Sequence, residues 1–207
     1  MKTRRPAFAA MVALSSVSPL ALALPQFQIA PVALTNEGVS NQARGVNDAG
    51  IIAGYDNTAS GFQRAFTSTG PLTAGTGLPA YTPAITSTEG HAINNHGLVV
   101  GVARYSATAP GSSTGSVPYD RGFVFNANTS QFLAVLEPFN DASGRRAFAQ
   151  SINNLNRVVG NGSSDPVLTN QNPRRAFWYD VNPVQPLVSY QLNPATNGLP
   201  FLPGGSW

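Results

Sequence analysis

Three short segments of this sequence share one pattern, and that pattern limits the possible fold more than any other feature. Each segment reads as a β-branched residue, Asn, Asn or Asp, any residue, Gly or Asn, and then a β-branched pair before a final Gly. The segments are residues 46–54, 93–101 and 152–160. Strand-forming residues on both sides of an Asn/Gly turn are typical of a β-hairpin. Each segment is therefore predicted to be two strands joined by a tight turn.

The conformation of the turn can also be predicted from its residue types. A type I turn favours Asn at its first position, and the Asn side chain there is expected to bond the backbone two residues further on. The residues at this position are Asn47, Asn94 and Asn153. A three-residue hairpin loop adds one residue in the left-handed region, which Gly adopts freely and Asn tolerates well. The residues at that place are Gly50, Gly97 and Asn156.

A second element follows each hairpin, in which Arg precedes Ala or Gly and then an aromatic residue. These elements are residues 64–66, 121–125 and 175–179. Aromatic and β-branched residues favour strands. A further short apolar segment comes next, around Leu72, Leu133 and Leu187. Each unit is therefore predicted to contain three or four antiparallel strands.

The spacing of these units predicts the fold class. The hairpins start 47 and 59 residues apart, and four-stranded units with a period of about 40 to 50 residues are typical of propeller blades. The predicted fold is all-β, with antiparallel propeller-blade-like repeats in three units that make an incomplete propeller, preceded by an N-terminal signal-peptide helix. We expect a signal peptide over residues 1–23, a β-repeat domain over 24–187 and an irregular tail over 188–207. The units span about 43–72, 90–136 and 149–187.

Together, the hairpin and the Arg-Ala-Phe element resemble the bacterial extracellular HAF-repeat family, which consists of secreted proteins of unknown function. The resemblance covers roughly residues 43–187, and the sequence departs from the family pattern at Thr67, Gly122 and Asn156. The resemblance implies a secreted or surface-associated β-repeat protein. It implies no biochemical activity, because none is established for the family.

The first 23 residues have the three parts of a secretory signal. Three basic residues stand within the first five, residues 7–24 are mostly apolar, and residues 21–23 form a small-x-small cleavage site. An uncleaved anchor is the alternative, but Pro19 and three Ser interrupt the apolar run. The chain is therefore expected to be exported to the periplasm or the extracellular space, with no membrane attachment after cleavage.

The charge balance and the absence of Cys exclude several kinds of partner and site. The chain has 12 basic and 9 acidic residues, but three of the basic residues lie within residues 1–23, so the exported chain is neutral. Nucleic-acid binding needs a clustered basic surface, and none is expected here. Without Cys the chain has neither disulfides nor thiolate metal sites. No cofactor is expected.

Three units are fewer than the roughly four to eight blades of a closed propeller. Three explanations are open: a truncated product of a longer gene, pairing with other copies of the chain, or a curved open stack of sheets. Truncation is preferred, because nothing in residues 188–207 resembles a capping unit. A lone strand over residues 27–34, with Pro31 at an edge or bulge, is expected to complete the last blade.

Several short motifs match catalytic or ligand signatures but lack the surroundings that those signatures require. Residues 111–115 match Gly-x-Ser-x-Gly without the strand and helix of a nucleophile elbow. Residues 75–80 match Gly-x-Gly-x-x-Ala without a βαβ unit. His91 and His96 are too few for a metal site, and Asp48 alone is a poor calcium cage. No catalytic, cofactor-binding or metal-binding residue is predicted.

The recurring arginines are the hypothetical binding residues. They are Arg64, Arg121 and Arg175. In one hypothesis they form a ring of guanidinium groups on one face and bind an anionic glycan or a carboxylate. In the other, each Arg covers an aromatic ring or bonds loop carbonyl groups. The structural role is favoured, because a residue that recurs with the repeat is first of all part of the repeat.

The sequence thus predicts a secreted, non-enzymatic β-repeat protein that serves as a binding surface or scaffold, with a surface glycan or a protein as its partner. One alternative is a polysaccharide-active enzyme, which requires two opposed carboxyl groups converging in a central propeller channel. The other is a non-functional fragment of a longer secreted protein.

Overall fold

The computed structural model describes seven stretches of the chain. They are residues 31–33, 38–70, 73–79, 85–105, 119–139, 146–163 and 174–199. The predicted signal-peptide helix over residues 1–23 lies outside them, as does most of the strand predicted over 27–34. Of that strand, Ala33 forms a parallel bridge with Ala74. None of the described residues is helical, so no helix there is long and apolar enough to cross a bilayer.

The described residues form β-strands joined by turns, which confirms the all-β prediction for this part of the chain. The strands are β1 Gly38–Val46, β2 Ile52–Thr58, β3 Gln63–Ser68, β4 Thr76–Gly77, β5 Ile85–Ile93, β6 Leu98–Tyr105, β7 Tyr119–Asn126, β8 Gln131–Glu137, β9 Ala147–Ile152, β10 Arg157–Ser163, β11 Arg174–Asp180 and β12 Val188–Gln191. They form three sheets, with the orders β1-β2-β3-β4, β12-β8-β7-β6-β5 and β11-β10-β9. Within these sheets the paired strands are antiparallel, except that β12 is parallel to β8.

Each sheet contains one of the predicted units, and the predicted turns are confirmed. Unit one is β1–β4, unit two is β5–β8, and unit three is β9–β11. The left-handed residues are Gly50 (φ 77°), Gly97 (φ 73°) and Asn156 (φ 62°). Each donates its backbone N–H to the carbonyl of the Asn three positions earlier, at 2.9 to 3.1 Å. In all three turns, the Asn side-chain oxygen accepts a hydrogen bond from the backbone N–H of the residue four positions later. In the second and third turns it also accepts one from the backbone N–H two positions later.

The final Gly of each hairpin pattern lies opposite a β-bulge. The registers of the three hairpins shift at the same place, which leaves one extra residue in the first strand. The extra residues are Arg44, His91 and Gln150. Near each bulge, a carbonyl oxygen of the first strand occupies the space that a Cβ atom on the opposite Gly would need. The overlapping pairs are Gly54 with Gln42, Gly101 with Glu89, and Gly160 with Phe148. Residues other than Gly therefore do not fit at this position.

The units stack face against face through the first strand of each following unit. Strand β5 lies on β1, β2 and β3, and β9 lies on β5 to β8. Two apolar clusters fill the two boundaries. The first includes Ala53, Ala65, Ile93, Val99 and Phe123. The second includes Val100, Val124, Ile152, Val158 and Phe177. Each unit therefore buries its apolar face against a neighbour, as repeat units do. The three sheets do not close into a ring within the described residues.

Of the three predicted fourth strands, the one in unit two is confirmed and the other two are not. Leu133 lies in β8 as predicted, whereas Leu72 lies outside the described residues and β4 is Thr76–Gly77 instead. In unit three, β12 begins just after Leu187, but it extends the sheet of unit two along the edge of β8. Strand β8 otherwise leaves an open edge, and an open edge accepts a further strand. A four-residue segment does not reveal from its own sequence which edge it will join.

The prediction of an irregular tail over residues 188–207 is wrong for the part that the structure describes. Val188–Gln191 forms β12, and residues 197–199 bond the edge of β11 in its place. The Trp178 N–H donates to the Asn197 carbonyl at 3.0 Å, and the Leu199 N–H donates to the Ala176 carbonyl at 3.0 Å. This segment completes unit three, because it supplies the partner that β11 lacks within its own sheet.

Candidate functional site

The three hairpin turns lie one above another and are joined by side-chain amides. The Nδ2 group of Asn47 donates to the Asn94 carbonyl at 3.1 Å, and that of Asn94 donates to the Asn153 carbonyl at 3.0 Å. Asn94 Nδ2 also donates to Asn156 Oδ1 at 2.8 Å. We call this series of contacts the turn ladder. It fixes the register of one unit on the next.

The second residue of each turn adds a parallel set of bonds. The Asp48 N–H donates to Asn95 Oδ1 at 3.0 Å, and the Asn95 N–H donates to Asn154 Oδ1 at 2.9 Å. Asn95 Nδ2 also donates to Asp48 Oδ2 at 2.6 Å, so the Asn95 side chain is both donor and acceptor, whereas the Asp48 carboxylate only accepts. The first residue needs an oxygen for its own turn and an N–H for the next unit. An amide side chain supplies both, which accounts for Asn at the first position of the first two turns.

Arg64 and Arg175 make the same contact in their own units. Each lies in the third strand and donates its Nε–H to a leucine carbonyl in the segment that borders that strand. Arg64 bonds Leu78 at 3.4 Å, and Arg175 bonds Leu199 at 2.9 Å. Arg175 also lies 5.9 Å from the ring centroid of Phe139. These contacts support the structural role that the repeat pattern favoured for these two residues.

Sequence reasoning missed the partners of these arginines, although a signal was present. Gly-Leu-Pro occurs at residues 77–79 and again at 198–200. The first copy follows Arg64 and the second follows Arg175 at a longer distance along the chain. The recurrence marks the two segments that border β3 and β11. The loops between this motif and the Arg-Ala-Phe element differ in length, so spacing alone does not connect the two.

Arg121 occupies the equivalent position in unit two but has a different partner. Its side chain is only 4% exposed and forms an ion pair with Glu137. Its Nη1 group also donates to the Asp120 carbonyl at 3.3 Å. A buried guanidinium that loses its carboxylate partner is strongly destabilising. Arg121 therefore holds unit two together, whereas Arg64 borders an open cleft.

That cleft lies between units one and two and has a volume of about 240 Å³. Its walls combine a guanidinium group, an aromatic ring and several hydroxyl groups. Phe62 is 51% exposed at its edge, and Arg64, Ser60 and Thr86 also line it. Ser87 and Thr88, on β5, bond the backbone of β3 from across the boundary. The second unit therefore positions this wall of the cleft.

A cluster of charged side chains lies on unit two, around Arg104. Its guanidinium contacts Asp120 Oδ1 at 3.1 Å and Glu89 Oε1 at 3.5 Å. Arg146 contacts the other Asp120 oxygen at 3.6 Å, and Asp120 is only 2% exposed. Two carboxylates thus converge here, but each is paired with guanidinium, and neither borders the cleft at Arg64.

The pKa of Glu89 is lowered from its ordinary value of 4.5 by His91, whose Nε2 lies 3.8 Å from Glu89 Oε2, and by the charges of Arg104 and Arg44, while burial acts in the opposite direction. The folded state thus holds the carboxylate ionised at a pH where the unfolded chain has begun to protonate it. The stability contributed by these contacts is present above pH 4.5 and is lost as the pH falls through the folded pKa.

We therefore expect Glu89→Gln to flatten the acid limb of the stability curve. The free energy of unfolding, measured in urea from neutral pH to well below 4.5, should fall less steeply for the variant than for the parent, because Gln has no proton to gain. The two curves should converge at the acid end. Parallel curves across the whole range would contradict this role of Glu89.

Both histidines bond backbone carbonyl groups of unit three. His91 Nδ1 lies 2.9 Å from the Ala149 carbonyl, and His96 Nε2 lies 3.0 Å from the Asn154 carbonyl. A carbonyl only accepts, so these ring nitrogens carry the hydrogen. The two side chains join units two and three rather than meeting each other.

The fold and these contacts define an all-β repeat protein in which three like-built antiparallel sheets are joined by a turn ladder. A family model described as "Protein of unknown function (DUF3466)" matches residues 14–193. The chain belongs to this family. No curated protein and no solved structure matches the chain.

Proposed function

We propose that the chain is an exported, non-enzymatic β-repeat protein of the HAF-repeat type, and that it binds polysaccharide at the cell surface or in the periplasm. Units one and two each contain four antiparallel strands that pair in chain order, as propeller blades do, which supports the propeller-like part of this proposal. The basic start, the apolar run and the small-x-small cleavage site within residues 1–23 support export.

The cleft between units one and two carries the binding part of the proposal. Ligand sites combine apolar and aromatic walls with a few placed polar groups. Phe62 offers an exposed aromatic face to a sugar ring, and Arg64 beside it offers a guanidinium group to a carboxylate. The hydroxyl groups of Ser60 and Thr86 complete a polar wall. A glycan that contains uronic acid has the matching chemistry.

Of the three arginines that the sequence suggested as binding residues, this geometry favours Arg64. Arg121 is buried against Glu137, so a loss of binding in Arg121→Ala would not separate a binding role from a folding role. Arg175 makes the same carbonyl contact as Arg64 but lies in unit three, away from Phe62. Arg64 is therefore the informative residue for a test.

Arg64→Ala is expected to weaken binding of an acidic polysaccharide, such as polygalacturonate, by about tenfold or more, since a charge-assisted contact to carboxylate is lost. Phe62→Ala should weaken it by a similar factor. Arg44→Ala is the matched control, because it removes the same charge from the same unit outside the cleft. The measurement is titration calorimetry after an array of neutral and acidic glycans has identified a ligand.

A blank array with folded protein would overturn the binding proposal. Equal losses in Arg64→Ala and Arg44→Ala would instead show that only the net charge of unit one matters. Circular dichroism and thermal unfolding of each variant separate these outcomes from a loss of fold.

Export is tested by the mass of the chain recovered from a bacterial host. The proposal expects a mature chain in the periplasm or medium that begins at Leu24, after the small-x-small site. A full-length chain retained in the cytoplasm or the membrane would contradict it.

A further inference from the structure

The stack of units that the structure describes has two ends, and each end exposes apolar residues whose counterparts are buried at the boundaries between units. In unit one, Val46 is 65% exposed, while its counterparts Ile93 and Ile152 are 7% and 8% exposed. All three stand at the end of the first strand, directly before the turn. We call the side of unit one that is turned away from unit two the leading face.

The side of unit three that is turned away from unit two is the trailing face. Val159 is 43% exposed there, whereas its counterpart Val100 is fully buried. Leu199 is 45% exposed, whereas its counterparts Leu78 and Leu136 are 3% and 0% exposed. The equivalence follows from pairing: Leu78 and Leu199 bond the same position of the third strand, and Leu136 takes that position in unit two.

The turn ladder stops at these two ends with matching groups. Asn47 and Asn94 donate their side-chain N–H to the carbonyl of the following turn, but the Asn153 amide nitrogen has no acceptor within the described residues. At the other end, and within the same residues, the Asn47 carbonyl accepts only from Gly50. The carbonyls of Asn94 and Asn153 each accept a second bond, from the preceding unit. One end thus offers a donor and the other a free lone pair.

A charged pair stands at the rim of the trailing face. Arg157 donates to the Asp180 carboxylate at 2.7 and 2.8 Å, and its guanidinium lies 4.5 Å from the ring centroid of Trp178. The pair carries no net charge, and its guanidinium group contacts Trp178. Val159 and Leu199 form the apolar part of the face. A polar rim around an apolar centre is usual for an interface.

We propose that the leading face of a second copy of this chain docks on the trailing face, so that unit one of the second copy continues the stack as unit four. Asn153 Nδ2 then donates to the Asn47 carbonyl of the second copy, and Val46 of that copy is buried as Ile93 and Ile152 are. A second copy of the chain is the expected partner, since the new interface repeats the two interfaces already present between units. This proposal is independent of glycan binding.

Two copies joined in this way contain six units, which lies within the roughly four to eight blades of closed propellers. The contact is head to tail, and such contacts form rings when the rotation closes and filaments when it does not. A ring of two chains buries both faces of both copies.

The test uses the two faces separately. Val46→Asp blocks the leading face and Val159→Asp blocks the trailing face, and both substitutions are at exposed positions, where folding tolerates change. The mass of each purified chain is measured by light scattering and sedimentation over a wide concentration range. We expect the parent chain to form dimers, each variant alone to be monomeric, and an equimolar mixture to form a complex of two chains.

The mixture recovers one interface because each variant retains the face that the other has lost. A parent chain that stays monomeric at every concentration would overturn the proposal, as would a variant that still associates alone or a mixture that does not associate. Asn153→Asp keeps the acceptor oxygen of its own turn and removes the donor. It is expected to weaken dimer formation about tenfold without lowering the melting temperature of the monomer.

Discussion

Gly101→Ala is expected to lower the free energy of unfolding by about 3 kcal/mol or more, which can leave the chain unfolded. The new Cβ atom would overlap the Glu89 carbonyl oxygen and lie 2.9 Å from Cζ of Phe123. Both neighbours are fixed, since Glu89 belongs to the paired strand β5 and Phe123 is fully buried at the boundary with unit one. Neither can move without the loss of strand pairing or core packing.

Gly50→Ala is the matched control for this prediction. Gly50 has a left-handed φ of 77°, but no atom lies within 4 Å of the position of a new Cβ. The cost there is the strained backbone alone, about 1 kcal/mol. The two substitutions change the unfolded chain in the same way, so the difference in urea unfolding reports the overlap. Equal destabilisation would show that the bulge does not require Gly.

Asn94→Ala is expected to lower the free energy of unfolding by about 3 kcal/mol. Asn94 is 3% exposed, and its side chain connects two units. Its oxygen accepts from the backbone N–H groups of His96 and Leu98, both at 3.0 Å. Its nitrogen donates to Asn153 and Asn156 of unit three. Removal of the side chain leaves buried backbone groups without partners, which costs more than the bonds themselves contribute.

Two further variants separate the turn from the turn ladder. Asn94→Asp retains the acceptor for its own turn but loses the donor to unit three, so most of the loss is expected to remain. Asn153→Ala removes the same side chain from the last of the three turns, where it is exposed and, among the described residues, bonds only the backbone of its own turn. It should cost about 1 kcal/mol. If Asn153→Ala and Asn94→Ala proved equally costly in urea unfolding, the contacts between units would contribute nothing.

The conformation of each turn could be predicted from the sequence, because it depends on neighbouring residues alone. Gly50, Gly97 and Asn156 adopt positive φ, as their residue types favour. The strands on both sides followed from β-branched and aromatic residues that pack on a pleated surface. The role of the final Gly did not follow, because it depends on a bulge in the opposite strand.

The candidate site was predicted only in part. The recurrence of Arg64, Arg121 and Arg175 marked equivalent positions, but their partners differ: a leucine carbonyl for two of them and Glu137 for the third. The loops that precede these partner segments differ in length. The partners therefore do not lie at a fixed spacing from the arginines and could not be predicted from the sequence. Phe62 lies only two residues before Arg64, but the cleft that they line forms only because unit two packs on unit one.

The sequence by itself determined the local geometry: three hairpins with left-handed turn residues, each followed by an Arg-containing strand. Only the tertiary structure decided how the units are joined, that β12 extends unit two, and that residues 197–199 complete unit three. The physical reason is range. A turn is fixed by steric limits and side-chain bonds within a few residues, whereas an open edge or an apolar face accepts any segment of suitable shape that the whole fold brings to it.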